Sequence, residues 1–154
     1  MSAKELTAIL LALAFVGMAS AKPVYGPYHV LGDAPVRVID GDTVVLDLAT
    51  DPDHFWKVHV RVAGVDTPEI EHRKSYPPCQ IPMGLKAKAY TTAWFDGATD
   101  LRVTRVTTGS FLHRAVGHIT ALKDGARHDL GADLLAAGLA RPFVEGRTGV
   151  GWCQ

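Results

Sequence analysis

The chain has 154 residues, which suits one domain with a hydrophobic core and leaves little room for a second. It carries 16 Lys and Arg residues against 16 Asp and Glu residues, so its formal net charge is zero. A neutral chain has no overall electrostatic attraction to a polyanion, and this disfavours a protein that coats nucleic acid. Any contact with a polyanion must come from a local cluster of positive groups.

The N-terminus has the three features of a secretory signal peptide in the right order. Lys4 supplies the charged start, residues 6–18 are almost all apolar, and Ala19-Ser20-Ala21 has the small-x-small form of a cleavage site. The apolar run is shorter than the about 20 residues of a membrane span. We therefore expect residues 1–21 to be cleaved and the mature chain to be secreted or periplasmic, without stable membrane association. A membrane anchor or a buried first helix is the alternative.

Both cysteines lie beyond the predicted cleavage site. In an oxidising compartment, Cys79 and Cys153 are expected to form a disulfide that closes a loop of about 75 residues. Two free thiols are the alternative. Neither cysteine has a second cysteine or a histidine at the spacing of a zinc site.

Apolar residues with period two predict three short strands after an irregular lead-in at residues 22–35. Turn residues separate the strands, at Asp40-Gly41-Asp42 and at residues 51–53. The predicted strands span residues 36–38, 43–48 and 58–63.

A helix is predicted next, with Pro82 as its first residue and Gly97 at its end. Its inward positions follow helical spacing, at Met83, Ala87, Tyr90 and Trp94. We expect Trp94 and Trp56 in the core, as is usual for tryptophan.

Two further strands are predicted at residues 101–106 and 114–122, followed by a turn at residues 123–125. Asp129 is expected to cap a short second helix that ends at Gly138. Five strands with a helix between the third and fourth predict a mainly β (α+β) domain, a five-stranded OB-type barrel with two helices. This domain is expected over residues 36–145, with a tail at residues 146–154 that a disulfide could fasten.

Carboxylates cluster at the ends of two predicted strands. Asp40 and Asp42 flank a glycine in the first turn, and Asp66 and Glu69 close the third strand. Acids at strand ends of a barrel can converge on one site, and a hard divalent cation prefers carboxylate and carbonyl oxygens. Taken alone, Asp-Gly-Asp is more often simple turn chemistry.

Two arginines make the acidic pattern more specific. Arg61 alternates with Val60 and Val62, so it points away from the face that those valines bury. Arg114 opens the fifth predicted strand among small and apolar residues. Pairing with surface carboxylates is the ordinary alternative, but two permanently charged forks beside a carboxylate–metal cluster are suited to a phosphodiester.

These motifs together resemble the staphylococcal nuclease (thermonuclease) family, as a secreted bacterial member. The resemblance rests on residues 38–44 (VIDGDTV), residues 60–69 (VRVAGVDTPE) and the downstream Arg114, and it covers residues 36–143. It implies a calcium-dependent nuclease that hydrolyses DNA and RNA and leaves 3′-phosphate ends. It also implies a monomer.

By position, the resemblance implies that Asp42 and Asp66 bind Ca²⁺ through their carboxylates and that Thr67 contributes its main-chain carbonyl. Asp40 is expected to support the turn.

The resemblance also implies catalytic roles for three residues. Glu69 would act as general base or order the attacking water. Arg61 and Arg114 would hold the phosphate and stabilise the transition state.

The sequence departs from the family pattern just before Arg114. Where the family has Lys-Tyr-Gly, this chain has Phe111, Leu112 and His113. Stacking on the nucleotide is therefore expected from Phe111 or Phe143, and base preference and affinity are expected to differ. The competing hypothesis is a non-catalytic OB module that binds nucleic acid or a protein, since this barrel also serves as a binding platform.

Overall fold

The computed structural model describes residues 22–32, 35–74, 76–109, 114–147, 149 and 151–153. The predicted signal peptide and the segment Phe111, Leu112 and His113 lie outside the described residues. The described strands and helices, in chain order, are β1 (Tyr28–Val30), β2 (Arg37–Asp40), β3 (Thr43–Asp51), β4 (His54–Val62), β5 (Val65–Asp66), α1 (Gln80–Trp94), β6 (Thr99–Thr108), β7 (Arg114–Lys123), β8 (Ala126–Asp129), α2 (Leu130–Ala136) and β9 (Arg141–Pro142).

Five of the strands form a closed barrel in the order β1, β6, β7, β4, β3, with β3 pairing back to β1. The β4–β7 pair is parallel, whereas the other neighbours in the ring are antiparallel. Strand β2 pairs with β3 and strand β8 pairs with β7, both outside the ring. The predicted five-stranded OB-type barrel with two helices is confirmed.

One of the five barrel strands is not the one that was predicted. Residues 22–35 were predicted to be irregular, but β1 lies within them and closes the barrel between β3 and β6. The predicted first strand instead corresponds to β2, beside the ring. A three-residue strand is too short to show an alternating pattern, and its hydrogen bonds come from partners far away in sequence.

Alternating apolar side chains of β3 and β4 fill the barrel, as their period of two predicted. Val44 and Val60 are fully buried and Leu46 is nearly so. Trp94 is also buried, but the prediction for Trp56 is wrong, because 68% of this residue is exposed. It lies near the β3–β4 hairpin turn, where all four residues from His54 to Lys57 are exposed and β4 extends past the core.

The first helix begins at Gln80, two residues before the predicted start at Pro82. Proline is tolerated in the first turn because the N–H groups there have no partner within the helix. Its buried face differs from the predicted stripe. Met83 is 37% exposed, and the side facing the barrel is made of Gln80, Gly84, Ala87, Thr91 and Trp94. Small and polar residues bring this helix close to the polypeptide backbone, an arrangement that a search for apolar periodicity does not detect.

Gly84→Ala is expected to destabilise the protein. A Cβ at Gly84 would lie 2.6 Å from the Pro68 carbonyl oxygen and 2.7 Å from that of Glu69. Overpacking of this kind costs about 1–3 kcal/mol, which exceeds the gain of about 1 kcal/mol in helix propensity. Urea denaturation measures the change, with Gly32→Ala as control because a Cβ there meets nothing within 4 Å. Equal midpoints for the two variants would contradict the packing argument.

The second helix and its flanking turn follow the sequence closely. The Asp129 carboxylate accepts a hydrogen bond from the Ala132 N–H at 2.9 Å and so caps α2. Gly138, just past its end, has φ +68°. Asp124 and Gly125 form the predicted turn between β7 and β8, both with positive φ.

The predicted disulfide is present. Cys79 and Cys153 are bonded across 74 positions of sequence, with a Cα–Cα distance of 6.1 Å. A cross-link over a loop of this length stabilises the fold by about 3–4 kcal/mol. It joins the C-terminal residues to the start of α1. Among the described residues, none of the helices has the length and apolarity needed to cross a membrane.

Candidate active site

The first acidic turn joins β2 to β3 and buries one carboxylate. The Asp42 N–H donates to the Asp40 carboxylate at 3.1 Å, so Asp40 supports the turn as predicted. Asp42 is only 2% exposed, and its Oδ2 accepts the Thr67 N–H at 2.9 Å. This bond joins the two acidic segments of the sequence, which are 25 positions apart.

Helix α1 holds both acidic segments against the barrel. The Thr91 hydroxyl donates to the Gly41 carbonyl at 2.6 Å. A Cβ at Gly41 would lie 2.7 Å from the Ala87 Cβ and 2.8 Å from the Thr67 Oγ1. The glycine of the first turn is therefore required by close packing against α1 and the second acidic segment.

Arg61 lies between the two buried carboxylates. Its Nη1 donates to Asp42 Oδ1 at 2.7 Å, and its Nη2 lies 3.4 Å from Asp66 Oδ1. The side chain is 14% exposed, and the guanidinium carbon is 5.7 Å from the centre of the Phe143 ring. The structure thus places Arg61 against both carboxylates predicted to bind metal and beside one of the predicted stacking residues, Phe143.

Arg114 connects to the same cluster through a hydroxyl. Its Nη2 donates to Thr43 Oγ1 at 3.0 Å, and this hydroxyl donates to Asp42 Oδ1 at 3.1 Å. The parallel β4–β7 pairing sets His59 opposite Arg114 and Arg61 opposite Val116. Because paired residues share a face of a sheet, both arginines project from the outer face of the barrel.

Asp66 has a partner that the sequence did not indicate. The short β5–β9 ladder sets Asp66 opposite Arg141, and Arg141 donates from Nε and Nη2 to Asp66 Oδ2 at 3.2 and 3.1 Å. The residues are 75 positions apart, and nothing in the spacing predicts a pairing of two-residue strands. Asp66 is 2% exposed, whereas 30% of the Arg141 side chain is exposed, so the carboxylate is the shielded member of the pair.

Glu69 lies at the edge of the cluster and is half-buried. Burial raises the pKa of its carboxyl group, and the negative charge of Asp40 raises it further, while Arg61 opposes both effects. The main-chain N–H of Glu69 donates to the Gln80 side-chain oxygen at 3.2 Å. A carboxylate with a raised pKa is better suited to accept a proton than an ordinary surface acid.

Burial has a stronger effect on Asp42. It raises the pKa of this carboxyl group to about 7, against the lowering effect of Arg61, and the charge of Asp40 adds to the increase. A second cation beside Asp42 would favour the ionised form.

The predicted catalytic residues meet in one open groove of about 960 Å³. Arg61, Glu69, Arg114 and Phe143 all line it. Phe143 is 42% exposed, and its N–H bonds to the Gly64 carbonyl at 2.9 Å. The other predicted stacking residue, Phe111, lies outside the described residues.

The site offers a divalent cation two carboxylate oxygens, and water would have to supply most of the remaining ligands. Asp42 Oδ1 and Asp66 Oδ1 both face the Arg61 guanidinium, so the two oxygens already converge on a positive group. Among the described residues, no three His, Cys, Asp or Glu side chains converge in the manner of a side-chain-only metal site. A hard cation here would use two carboxylates, a carbonyl such as that of Thr67, and water.

Comparison with known proteins does not identify a family. The chain matches no protein-family model, and a search of curated proteins finds no similar sequence.

Proposed function

We propose that this chain is an exported, calcium-dependent nuclease of the staphylococcal nuclease type that hydrolyses phosphodiester bonds of DNA and RNA. One observation carries the proposal: the Arg61 guanidinium bridges the buried carboxylates of Asp42 and Asp66 at the wall of a groove that Glu69 and Arg114 also line. Burying charged groups costs free energy, and the fold does not need two acids to share one arginine beside a groove. Such an arrangement is typical of a functional site.

In the proposed mechanism, the residues of the groove have separate roles. Calcium, held by Asp42, Asp66 and the Thr67 carbonyl, would supply positive charge to the phosphate oxygens. Arg61 and Arg114 donate hydrogen bonds to those oxygens and stabilise the additional charge of the transition state.

Glu69 takes a proton from the attacking water as the oxygen bonds to phosphorus. The bond from phosphorus to the 5′ oxygen then breaks, and that oxygen takes up a proton from solvent water to leave as a 5′ hydroxyl. The other product carries a 3′ phosphate.

The disulfide supports the proposed location. Such bonds persist in oxidising compartments, and Cys79 and Cys153 are bonded. Together with the predicted signal peptide, this supports a secreted or periplasmic enzyme, which we propose acts as a monomer.

Calcium-dependent cleavage is the direct test. The mature chain is expected to cut plasmid and single-stranded DNA and RNA with calcium, and to lose the activity with a chelator. Arg114→Ala is expected to lower kcat by about 100-fold, as for other lost charge stabilisers. Arg105→Ala, at an exposed position of β6, serves as the control.

Each outcome of this test has a separate meaning. No cleavage by the parent with calcium would refute the enzyme. Binding of DNA without cleavage would favour the non-catalytic OB module. An unchanged rate in Arg114→Ala would refute the role of this arginine and leave the activity standing.

A further inference from the structure

The C-terminal strap, defined here as Gly149 and residues 151–153, contacts the carboxylate of Asp66. The Gly149 N–H and the Trp152 indole N–H point to Asp66 Oδ2 at 3.4 and 3.3 Å. The same oxygen accepts from Arg141. Oδ2 is therefore surrounded by donors, and Oδ1 is the oxygen that contacts Arg61.

The strap also reaches Glu69 through one buried amide. Gln80 is fully buried; its Nε2 donates to the Gly149 carbonyl at 2.6 Å, and its Oε1 accepts the Glu69 N–H at 3.2 Å. It directly follows Cys79, the residue bonded to Cys153 at the end of the strap. The disulfide, the strap and the backbone of Glu69 thus form one continuous set of contacts.

Two further contacts hold the strap in place. The Arg141 guanidinium lies 4.5 Å from the Trp152 ring centre. At Gly149, φ is +68°, and a Cβ would lie 2.5 Å from the Tyr76 ring and 3.1 Å from Glu69 Cγ. A glycine is required there both by backbone conformation and by close approach to Glu69.

We propose that the disulfide-tied strap contributes to the active site by positioning two of its carboxylates. Trp152 is the positioning residue for Asp66, and Gln80, which the strap contacts, is the positioning residue for Glu69. The inference rests on the proposed function and extends it. By engaging Oδ2, the strap fixes the rotamer that leaves Oδ1 on the side of Arg61, where Asp66 would hold calcium. By engaging Gln80, it fixes the main chain that carries Glu69. Removing a residue that holds a metal ligand in place commonly weakens metal affinity by about 10-fold or more.

Trp152→Phe tests the contact to Asp66 with little change in shape. The substitution keeps an aromatic ring over Arg141 and removes the indole N–H. Calcium binding, measured by titration calorimetry without nucleic acid, is expected to weaken by about 10-fold or more, and kcat is expected to fall. KM for DNA is expected to stay unchanged, because Trp152 does not line the groove. Trp56→Phe removes an exposed indole and serves as the matched control.

A second measurement follows the strap independently of catalysis. The chain has three tryptophans, so its NMR spectrum has three indole N–H signals, and Trp152→Phe identifies one of them. Slow hydrogen exchange is expected for the Trp152 indole in the parent. It is expected to become fast in the double variant Cys79→Ser/Cys153→Ser, with calcium binding weakened at least as much as in Trp152→Phe.

A glycine pair gives a further test that leaves the disulfide intact. Gly149→Ala and Gly146→Ala impose similar strain, because both glycines have positive φ, but a Cβ at Gly146 meets nothing within 4 Å. Only Gly149→Ala is expected to lower kcat and calcium affinity.

The outcomes separate this inference from the proposed function. Unchanged or tighter calcium binding in Trp152→Phe, or equal effects of the two glycine variants, would overturn the positioning role while the nuclease stands. If the parent neither binds calcium nor cleaves DNA, the nuclease fails. Indole exchange then decides alone whether the disulfide holds the strap on Asp66: fast exchange in the double serine variant supports it and slow exchange overturns it.

Discussion

Glu69→Gln is expected to lower kcat for DNA cleavage by about 100-fold or more, the usual effect of removing a general base. The substitution keeps the size of the side chain and replaces a carboxylate, which can accept a proton, with a neutral amide, which cannot. The main-chain N–H of residue 69 still bonds to Gln80, so the loop is expected to keep its position. Initial rates at saturating calcium and DNA measure the change.

The control for this variant is close by in the sequence. Glu71→Gln makes the same chemical change at an exposed residue whose carboxylate pairs with Arg73 at 2.6 Å. Exposed ion pairs contribute little to the free energy of folding, so the stability is expected to change by less than about 1 kcal/mol. The cleavage rate is expected to stay within about a factor of two of the parent. A Glu69→Gln rate close to the control would remove Glu69 from the mechanism.

Arg61→Ala is expected to have a large effect on both stability and activity. Without the guanidinium, Asp42 loses the cation at 2.7 Å and Asp66 loses the one at 3.4 Å, and both carboxylates are buried. Removing one partner of a buried ion pair costs about 3–5 kcal/mol. Urea denaturation with a chelator is expected to show a loss of this size, and DNA cleavage is expected to fall by about 100-fold or more.

Calcium separates the two roles of Arg61. In the parent, the guanidinium already compensates the negative charge of both Oδ1 atoms. In Arg61→Ala this compensation is absent, and calcium is expected to restore more stability than it adds to the parent, while the rate stays low. A stability loss that is the same with and without calcium would contradict calcium binding by these two carboxylates.

Local patterns in the sequence determined most of the scaffold. Alternation placed Val44 and Val60 inside the barrel, and Asp129 predicted the cap of the second helix, because strand facing and capping depend on neighbouring residues alone. The same alternation placed Arg61 on the outer face. Where the pattern was short or absent, the prediction failed, as for β1 and for the exposed Trp56.

Tertiary structure alone decided how the site is assembled. The sequence supplied the two acidic segments, Arg61 and Arg114 as separate motifs, and the resemblance to a family supplied their roles. The contacts of Arg141, Gln80 and Trp152 with these segments span 75, 11 and 86 positions and depend on a two-residue ladder, a buried amide and an indole. Such contacts leave no periodic signal, because their geometry is set by the closed barrel and by the disulfide that returns the C-terminal strap to the start of α1.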